Sequence, residues 1–301
     1  MKFEGVINVN KPSDWTSQDV CSKLRGRLQV KRIGHTGTLD PMATGVLPIC
    51  IGNATKIIEY YDMDHKSYHA TMQLGIETDT LDITGEVVKK ADFTHVDELS
   101  IKAAFDAYKG NISQIPPKYS AVWINGQRAY DLARQGIEVN IKPRKIVIYS
   151  NEITHLDMAS GVIEFDVECS KGTYIRSMID DIGHALGCGA TMTGLVRTGS
   201  GIFTLNNALE LNQILEMTDE EISSHIVPAD QTIDNTGIIT VADNKYRYVV
   251  HGNEILSKDY KMEKACVFEN VYRIYCMNEF VGIGSIKNRV LQPIKVVTDQ
   301  E

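Results

Sequence analysis

The sequence lacks several features that would place it in a specialised class of protein. No window of its 301 residues approaches the run of roughly 18 apolar residues that a membrane helix needs. Its first residues, MKFEGVINVNKP, turn polar too early for a secretory signal, so we expect none. The six cysteines are scattered and form no C-x-x-C pair, which argues against zinc and against a disulfide scaffold. These absences favour a globular cytoplasmic protein with reduced thiols.

The chain also has fewer bases than acids, 31 against 39, and its formal net charge is −8. This deficit does not exclude a nucleic-acid partner, because the acids are concentrated in two segments. Residues 205–235 contain seven acids and no base, and residues 77–106 contain eight acids and three bases. The remainder is net positive, and the first 60 residues hold eight bases against five acids. A local basic face can bind phosphate whatever the total charge.

Strand patterns are distributed along most of the chain. GVINVNKP predicts a strand that stops at proline, and VLPICIG is typical of a buried strand. Alternation of apolar and polar residues predicts strands in KSYHATMQLG and in GVIEFDVECS. The dipeptide Asn125-Gly126 predicts a hairpin, followed by a short helix that ends at Gly136.

Helix patterns are interspersed with these strands without a regular βαβ period. TSQDVCSKLRGRL predicts a helix that Thr16 or Ser17 can cap. VDELSIKAAFDAYKG predicts a helix closed by Gly110, and GTYIRSMIDDIGHALG places apolar residues on one helical stripe. We therefore expect an α+β fold with a mixed, largely antiparallel sheet and flanking helices.

The composition changes near residue 205 and again near residue 236. The segment from Leu205 to about Asp230 contains no lysine or arginine and predicts a helical linker region. Beyond it, GIITVADNKYRYVVHGNEIL, ACVFENVYRIYCMNEFVGIGSI and VLQPIKVV predict short strands separated by turns. We assign residues 1–230 to a large domain and residues 236–298 to a small β-rich domain.

The stretch GHTGTLDPMATG, from Gly34 to Gly45, is rich in turn residues but lies between a basic cluster and a predicted core strand. Glycines permit close approach by a ligand, and a carboxylate held on such a loop can act as nucleophile or base. Asp40 is the one carboxylate of this stretch. A lone Asp-Pro step more often sets a type I turn, and His35 can simply bond a nearby carbonyl, so these alternatives stay open.

Two other chemistries fit this loop poorly. A phosphate-binding loop requires G-x-x-x-x-G-K-[ST], and the stretch lacks the final lysine and hydroxyl residue. No H-E-x-x-H pattern or second nearby carboxylate suggests a metal site. We therefore expect neither a bound nucleotide nor a metal ion.

The extended loop GHTGTLDPMATGVLP is similar, nearly position for position, to the catalytic motif of the TruB-type pseudouridine synthases. Further segments agree with that family in chain order: NKPSDWTS, KSYHATMQLGIETDTLDITG, PPKYSAVWINGQRAYDLARQG, CSKGTYIRSMIDDIG and LVRTGSGIF. The resemblance covers about Gly5 to Phe203, and five separated motifs in the same order exclude chance. Residues 237–297, with YVVHGNEIL as the best local match, resemble the PUA-like β domain that follows the catalytic domain in this family.

The resemblance implies the pseudouridine synthase fold, with RNA-binding insertions, and isomerisation of the T-loop uridine at position 55 of tRNA. In that reaction the N1–C1′ bond breaks, the base turns and C5 joins C1′. Nothing is oxidised and no group is transferred, so the resemblance implies no cofactor. The family aspartate that matches Asp40 attacks as a nucleophile or removes a sugar proton to give a glycal, and both branches stay open.

Further site residues follow from the same resemblance. Arg176 is expected to pair with Asp40, because an opposite charge nearby lowers the pKa of a carboxyl group and keeps it ionised. Tyr68 matches the tyrosine that stacks on the target base and can take the C5 proton. Tyr174 and Leu195 match other pocket positions. Without the resemblance, ordinary core packing is the alternative for these three apolar or aromatic residues.

The resemblance also indicates residues that meet RNA. His35 matches the histidine that fills the space left by the flipped nucleotide, whose extrusion costs a few kcal/mol. The neighbouring Lys31 and Arg32 would meet phosphates. Lys11, which we group with the RNA-binding residues, belongs with Pro12 to the N-terminal motif that supports the catalytic loop in this family.

Three hypotheses about function follow. The leading one is a stand-alone, monomeric tRNA pseudouridine synthase with tRNA as partner and no obligate protein partner. The second is an RNA-binding protein or tRNA-folding chaperone, although the intact motif around Asp40 argues against complete loss of catalysis. The third is a guide-RNA-dependent relative, against which the slight C-terminal domain argues. That domain has nine bases and eight acids between residues 236 and 301, so we expect it to make only an auxiliary RNA contact.

Overall fold

The structure is a computed structural model that describes residues 3–61, 65–137, 139–233, 235–266 and 270–298. The chain forms two compact units. The first consists of Met1–Asp40, Leu47–Met63 and Gly201–Glu301, and the second of Pro41–Val46 and Asp64–Ser200. These units group residues by packing, whereas the division into 1–230 and 236–298 rests on composition and stays a prediction.

Strands are more numerous than helices among the described residues. The strands are β1 (Gly5–Lys11), β2 (Ile33–His35), β3 (Thr44–Ile51), β4 (His65–Leu74), β5 (Ile76–Thr78), β6 (Val87–Lys90), β7 (Gly110–Gln114), β8 (Trp123–Ile124), β9 (Gln127–Arg128), β10 (Arg144–Asp157), β11 (Val162–Ser170), β12 (Ala190–Ser200), β13 (Phe203–Thr204), β14 (Leu209–Glu210), β15 (Gly237–Val241), β16 (Ile255–Leu256), β17 (Tyr260–Lys264), β18 (Tyr272–Cys276), β19 (Glu279–Lys287) and β20 (Val290–Val296). The helices are α1 (Ser17–Leu28), α2 (Glu98–Ala107), α3 (Ala129–Arg134), α4 (Ile175–Ala185), α5 (Leu211–Glu216), α6 (Asp219–Ser224) and α7 (Tyr246–Val250).

The N-terminal strand β1 organises the first sheet of the first unit. The strands lie in the order β14-β1-β3, and β2 pairs antiparallel with β3. Strand β14 runs parallel to β1, with Val9 opposite Leu209. Backbone hydrogen bonds of 2.8 Å in both directions also join Val6 to Val227. The start of the chain is therefore held by residues about 200 positions later.

Helix α1 packs against β2 and α5 in the same unit. The Thr16 hydroxyl accepts a hydrogen bond from the Asp19 backbone N–H at 3.1 Å, and the Asp19 carboxylate accepts one from the Thr16 N–H at 3.0 Å. This reciprocal pair is a capping box, and it selects Thr16 of the two predicted caps. Val20, Leu24 and Leu28 are buried, as their helical spacing predicts.

The sheet of the second unit has the strand order β3-β12-β4-β11-β10-β7. Strand β3 enters it only through Thr44 and Gly45, which run parallel to β12, and the other pairs are antiparallel. Gly45 has φ +102°, and a Cβ there would overlap the Arg197 carbonyl, so the close approach of β3 and β12 requires glycine. The predicted alternation in β4 is confirmed by its buried residues Tyr68, Ala70, Met72 and Leu74.

Helices α2 and α4 cover this sheet and pack against each other. Phe105 of α2 meets Phe165 of β11 edge to face, with ring centroids 5.0 Å apart. The predicted apolar stripe of α4 is confirmed, because Ile175, Ile179 and Ile182 are all buried. The core of the second unit therefore lies between this helix layer and one face of the sheet.

Helix α2 ends earlier than predicted. The sequence places its end at Gly110, but the last helical residue is Ala107, and Gly110 begins β7. The buried Asn151 explains the difference, because its Nδ2 donates to the carbonyls of Phe105 at 2.9 Å and Tyr108 at 3.1 Å. A side chain from a distant strand thus satisfies carbonyls at the end of the helix.

A second sheet in the first unit has the order β16-β20-β19-β18-β15-β17. Only β15 and β18 pair in parallel, and the remaining pairs are antiparallel. The predicted β-rich C-terminal part is confirmed. The prediction of a strand through YRYVVHG is wrong, since α7 forms there and buries the adjacent Val249 and Val250, which a strand would point to opposite faces. Part of the predicted ACVFENV strand, residues 267–269, lies outside the described residues.

Other predicted elements also have counterparts. Asn125 and Gly126 both have positive φ between β8 and β9, as a two-residue hairpin turn requires. The predicted linker region contains α5 and α6, but it also contributes strand β14. The α+β prediction with a largely antiparallel sheet is confirmed. Within the described ranges, none of the helices combines the length and apolar character needed to span a membrane.

Candidate active site

The loop between β2 and β3 carries Asp40 and is fixed at the residue before it. The Ser17 hydroxyl accepts a hydrogen bond from the Leu39 N–H at 2.9 Å and lies 3.2 Å from the Leu39 carbonyl, to which it can donate. Ser17 is the first residue of α1, and both Ser17 and Leu39 are buried. Asp40 itself is half-buried. The aspartate therefore follows directly on an anchored backbone without being sealed in the core.

The N-terminal motif forms the turn that leads into α1. Lys11 has no exposed surface, and its ammonium donates to the carbonyls of Pro12 at 2.8 Å and Trp15 at 2.6 Å. Asp14 adopts φ 65°, in the left-handed region. Lys11 thus stabilises the turn that places Ser17 beside the loop between β2 and β3. Its burial fits a supporting role and leaves no surface for direct contact with RNA.

The basic and histidine residues before the loop are more accessible. Lys31 and Arg32 are exposed, and Arg32 Nη1 donates to Asn53 Oδ1 at 2.8 Å. His35 is the last residue of β2, opposite Ile49 of β3, and is half-buried. These three side chains belong to the first unit, as Asp40 does.

Tyr68 and Leu195 lie on one face of the second unit's sheet. Tyr68 of β4 is directly opposite Arg197 of β12, and Leu195 is opposite Ala70, two residues along each strand. Directly opposed residues of an antiparallel pair point to the same side, so the three side chains are neighbours on that face. Tyr68 is 7% exposed and Leu195 8%. They form a mainly apolar wall beside a buried arginine.

Arg197 is fully buried, and its Nε donates to the Val46 carbonyl at 2.6 Å. A buried guanidinium is costly unless its donors are used, which marks this position as structurally demanding. Because Arg197 faces Tyr68 across the two strands, it fixes the sheet next to the predicted base-stacking residue.

Arg176 extends from the first turn of α4 and is only 5% exposed. Its Nη1 donates to the Thr80 carbonyl at 3.1 Å, and its Nη2 donates to the Tyr119 carbonyl at 3.0 Å. Arg176 is therefore not a solvated side chain, although it lies in the first turn of a helix. Tyr174, the residue before α4, is half-buried, and the Arg144 guanidinium lies 5.7 Å from its ring centroid.

Asp82 supplies a negative charge to this arginine. Asp82 Oδ2 lies 3.5 Å from Arg176 Nη1, and both side chains are almost fully buried. The other carboxylate oxygen, Oδ1, accepts hydrogen bonds from the Thr80 hydroxyl at 2.9 Å and from the Thr84 N–H at 3.0 Å. The segment TDTLDITG thus folds around one carboxylate that faces Arg176.

The structure brings the predicted site residues together in two groups. Lys11, Lys31, Arg32, His35 and Asp40 belong to the first unit, and the residues of the other group, Tyr68, Tyr174, Arg176 and Leu195, belong to the second. Within each unit they occupy the positions described above. The expected pairing of Asp40 with Arg176 stays a prediction.

Sequence reasoning misses several residues that hold the site in place. Ser17, Asp82 and Arg197 all lie within family motifs, yet the motifs alone give them no role. A signal exists for Asp82, since it is one of two aspartates close together in TDTLDITG. No sequence signal marks the Ser17 bond to Leu39, because it joins residues 22 positions apart.

The cysteines contribute to packing. All six are free thiols, and all but the half-buried Cys266 are buried. Burial raises the pKa of Cys21 and of Cys169 to about 11, so both thiols stay protonated at neutral pH.

Comparison with known proteins assigns the family. A family model described as "TruB family pseudouridylate synthase (N terminal domain)" matches residues 25–175, and "tRNA pseudouridylate synthase B C-terminal domain" matches residues 176–234. The chain is 41% identical over 295 residues to a tRNA pseudouridine synthase B of Clostridium tetani, and the matched region covers 98% of this chain and 100% of that protein. A namesake from Clostridium perfringens is 42% identical over 283 residues, covering 94% and 95%. The chain belongs to the TruB family of pseudouridylate synthases and is therefore an isomerase.

Solved structures agree with this assignment. The crystal structure of a Cbf5-Nop10-Gar1 complex contains a chain with a TM-score of 0.75 and 26% identity, covering 98% of this chain and 85% of that one. A chain of the archaeal box H/ACA sRNP Nop10-Cbf5 complex has a TM-score of 0.73 and 25% identity, covering 98% and 86%. The predicted pseudouridine synthase fold with a PUA-like C-terminal sheet is confirmed.

Proposed function

We propose that this protein isomerises the T-loop uridine at position 55 of tRNA to pseudouridine, with Asp40 as the reacting carboxylate. The near full-length relatives named tRNA pseudouridine synthase B support tRNA as the substrate. The observation that carries the role of Asp40 is its place directly after Leu39, whose backbone the buried Ser17 hydroxyl holds. A half-buried carboxylate on an anchored backbone suits a reaction that needs it at a fixed distance from a ribose.

The chemistry leaves the elemental composition of the nucleotide unchanged. The N1–C1′ bond breaks, the detached uracil turns, C5 bonds to C1′, and the proton on C5 is lost while N1 gains one. Asp40 acts either by attacking the sugar or by removing a sugar proton to give a glycal. Both routes require its ionised form, which a nearby guanidinium favours. Arg176 supplies that guanidinium in our proposal, and its buried contacts with Thr80, Tyr119 and Asp82 hold it in one place.

Tyr68 and Leu195 are proposed to receive the everted base. A flipped base loses its stacking in the RNA and needs an aromatic or apolar surface in exchange, worth about 1–3 kcal/mol. Both side chains lie on the same sheet face. Tyr174, at the start of α4, is proposed as a further part of the pocket. The Tyr68 hydroxyl is proposed to take the C5 proton late in the reaction.

The exposed face before the catalytic loop is proposed to meet the T-arm. Lys31 and Arg32 are exposed and can contact phosphates, which position RNA without reading its sequence. His35, at the end of β2, is proposed to occupy the space left by the everted nucleotide. Lys11 is proposed only to support the loop, because it is buried.

A monomer without an obligate protein partner, active in the cytoplasm, completes the proposal. The similar Cbf5 structures are complexes with Nop10 or with Nop10 and Gar1, whereas the relatives that match this chain over its length are named as tRNA enzymes. Six free cysteines are compatible with a reducing compartment. Light scattering with and without tRNA tests the oligomeric state.

The experiment that tests this function compares wild-type protein, Asp40→Asn and Asp106→Asn on unmodified tRNA labelled with [5-³H]uridine. Asp106 is an exposed aspartate of α2, so its variant controls for loss of one negative charge. We expect Asp40→Asn to bind a T-arm stem-loop but release no tritium, whereas Asp106→Asn releases it at the wild-type rate. Substantial release by Asp40→Asn would remove Asp40 from its role. Binding and tRNA refolding without release by the wild-type protein would favour the chaperone alternative.

A further inference from the structure

Gln114, the last residue of β7, is a buried amide with every polar atom engaged. It has no exposed surface. Its Oε1 accepts a hydrogen bond from the Tyr174 N–H at 2.8 Å, and its Nε2 donates to the Tyr174 carbonyl at 3.0 Å. The same Nε2 donates to the Tyr108 hydroxyl at 3.2 Å. One carboxamide therefore holds both backbone groups of a single residue.

That residue stands at the start of α4. Tyr174 is the N-cap position, and its own side chain makes no capping hydrogen bond. Ile115, the residue after Gln114, also binds the start of α4, because its carbonyl accepts a hydrogen bond from the Ser177 hydroxyl at 2.8 Å. Gln114 and Ile115 thus anchor Tyr174 and Ser177, the two residues on either side of Ile175 and Arg176. The first turn of α4 is fixed from outside the helix.

A second layer holds Gln114 itself. The Tyr108 hydroxyl, which accepts from Gln114, donates to Asp181 Oδ2 at 2.7 Å, and Asp181 lies on α4. Burial raises the pKa of Tyr108 above its ordinary range, so its hydroxyl remains a donor. The chain of hydrogen bonds begins at the N-cap of α4 and ends within α4, and it fixes the orientation of the amide between its two ends.

We propose that Gln114 is a positioning residue for pseudouridine formation, which sets the start of α4 and thereby places Tyr174 and Arg176 at the reacting nucleotide. The inference rests on the proposed roles of those two residues. A neutral carboxamide of this length both donates to the carbonyl and accepts from the N–H of Tyr174. An ionised carboxylate has no proton to donate. One of its oxygens would lie next to the Tyr174 carbonyl oxygen, and two hydrogen-bond acceptors repel each other.

Gln114→Glu separates this role from general packing, because its hydrogen bonding depends on pH. A buried glutamic acid has a raised pKa, and its protonated form can donate to the Tyr174 carbonyl again. We expect the single-turnover rate of Gln114→Glu at about pH 9 to fall about 10- to 100-fold below that of wild type, and to recover as the pH is lowered to about 6. The dissociation constant for tRNA should change much less than the rate.

Asn151→Asp is the matched control. Asn151 is also a buried sheet amide bonded to backbone carbonyls, but these lie at the end of α2. We expect Asn151→Asp to lower the melting temperature. Its single-turnover rate should not show the recovery at low pH that we expect for Gln114→Glu. Gln114→Met, which keeps the length but makes none of these bonds, should be slow at every pH. If Gln114→Glu fails to fold, the single-turnover rate of Gln114→Met tests the positioning role instead.

The outcomes distinguish this inference from the proposed function. If Gln114→Glu or Gln114→Met reacts at the wild-type rate throughout the pH range, Gln114 is not a positioning residue. The same conclusion follows if Gln114→Glu and Asn151→Asp lose rate in parallel with their melting temperatures. Normal turnover by Asp40→Asn and Arg176→Ala would instead overturn the proposed function.

Discussion

Replacing Asp82 by alanine removes the carboxylate that faces the buried Arg176 guanidinium. The two groups are 3.5 Å apart and almost fully buried, and Arg176 also donates to two neutral carbonyls. Removing one partner of a buried ion pair typically costs 3–5 kcal/mol. For a domain of this size, we expect a fall in melting temperature on the order of 6–12 °C from a loss of about 3 kcal/mol.

Thermal unfolding and single-turnover tritium release measure this prediction together. Asp82→Asn keeps the shape and the capacity of Oδ1 to accept from Thr80 and Thr84, so it should melt closer to wild type than Asp82→Ala. Both variants should turn over slowly, since the charge that orients Arg176 is gone. Asp106→Asn, which breaks an exposed ion pair with Lys109, should change neither quantity measurably. Wild-type melting and turnover by Asp82→Ala would refute the reasoning.

Two further predictions concern the N-terminal motif. Ser17→Ala releases both backbone groups of Leu39, so single-turnover rates should fall about 10-fold, whereas Ser22→Ala, on the exposed side of the same helix, should react normally. Equal rates for the two variants would contradict the anchoring role. Thr16→Ala should lower stability by about 1 kcal/mol in thermal melts through loss of the helix cap. The Thr16 hydroxyl also donates to the Asp19 carboxylate, and its hydrogen bonds lower the pKa of Asp19. This part of the stabilisation is present at neutral pH and is lost as the pH falls through that lowered pKa, so a difference between variant and wild type that does not shrink in acid would contradict it.

Local patterns predicted most of the elements. The alternation around Tyr68, the stripe on α4 and the hairpin at Asn125-Gly126 are encoded by neighbouring residues, and all three are found. Two of the errors fall where distant residues decide the conformation. Asn151, on strand β10, donates a hydrogen bond to a carbonyl at the end of α2. Strand β14 forms because it pairs in parallel with β1. Single-sequence periodicity contains no information about such partners.

The candidate site was predictable to a similar extent. The loop around Asp40 and the arginine in GTYIRS could be identified because their motifs are continuous in the sequence. The residues that hold them could not, since Ser17, Asp82 and Gln114 act through contacts with segments far along the chain. Residue type alone does not distinguish a hydroxyl or an amide that anchors a backbone from one that faces water.

The long-range pairing of β1 has a consequence for synthesis on the ribosome. Val9 and Val6 find their partners at Leu209 and Val227, whereas the second unit lies almost entirely between residues 64 and 200. At roughly 5–20 residues per second, the N-terminal strand waits on the order of 10–40 s for those partners to be translated. During this interval β3 can cover one edge of β1, but the other edge of this apolar strand keeps open hydrogen-bonding groups, which favours aggregation of the nascent chain.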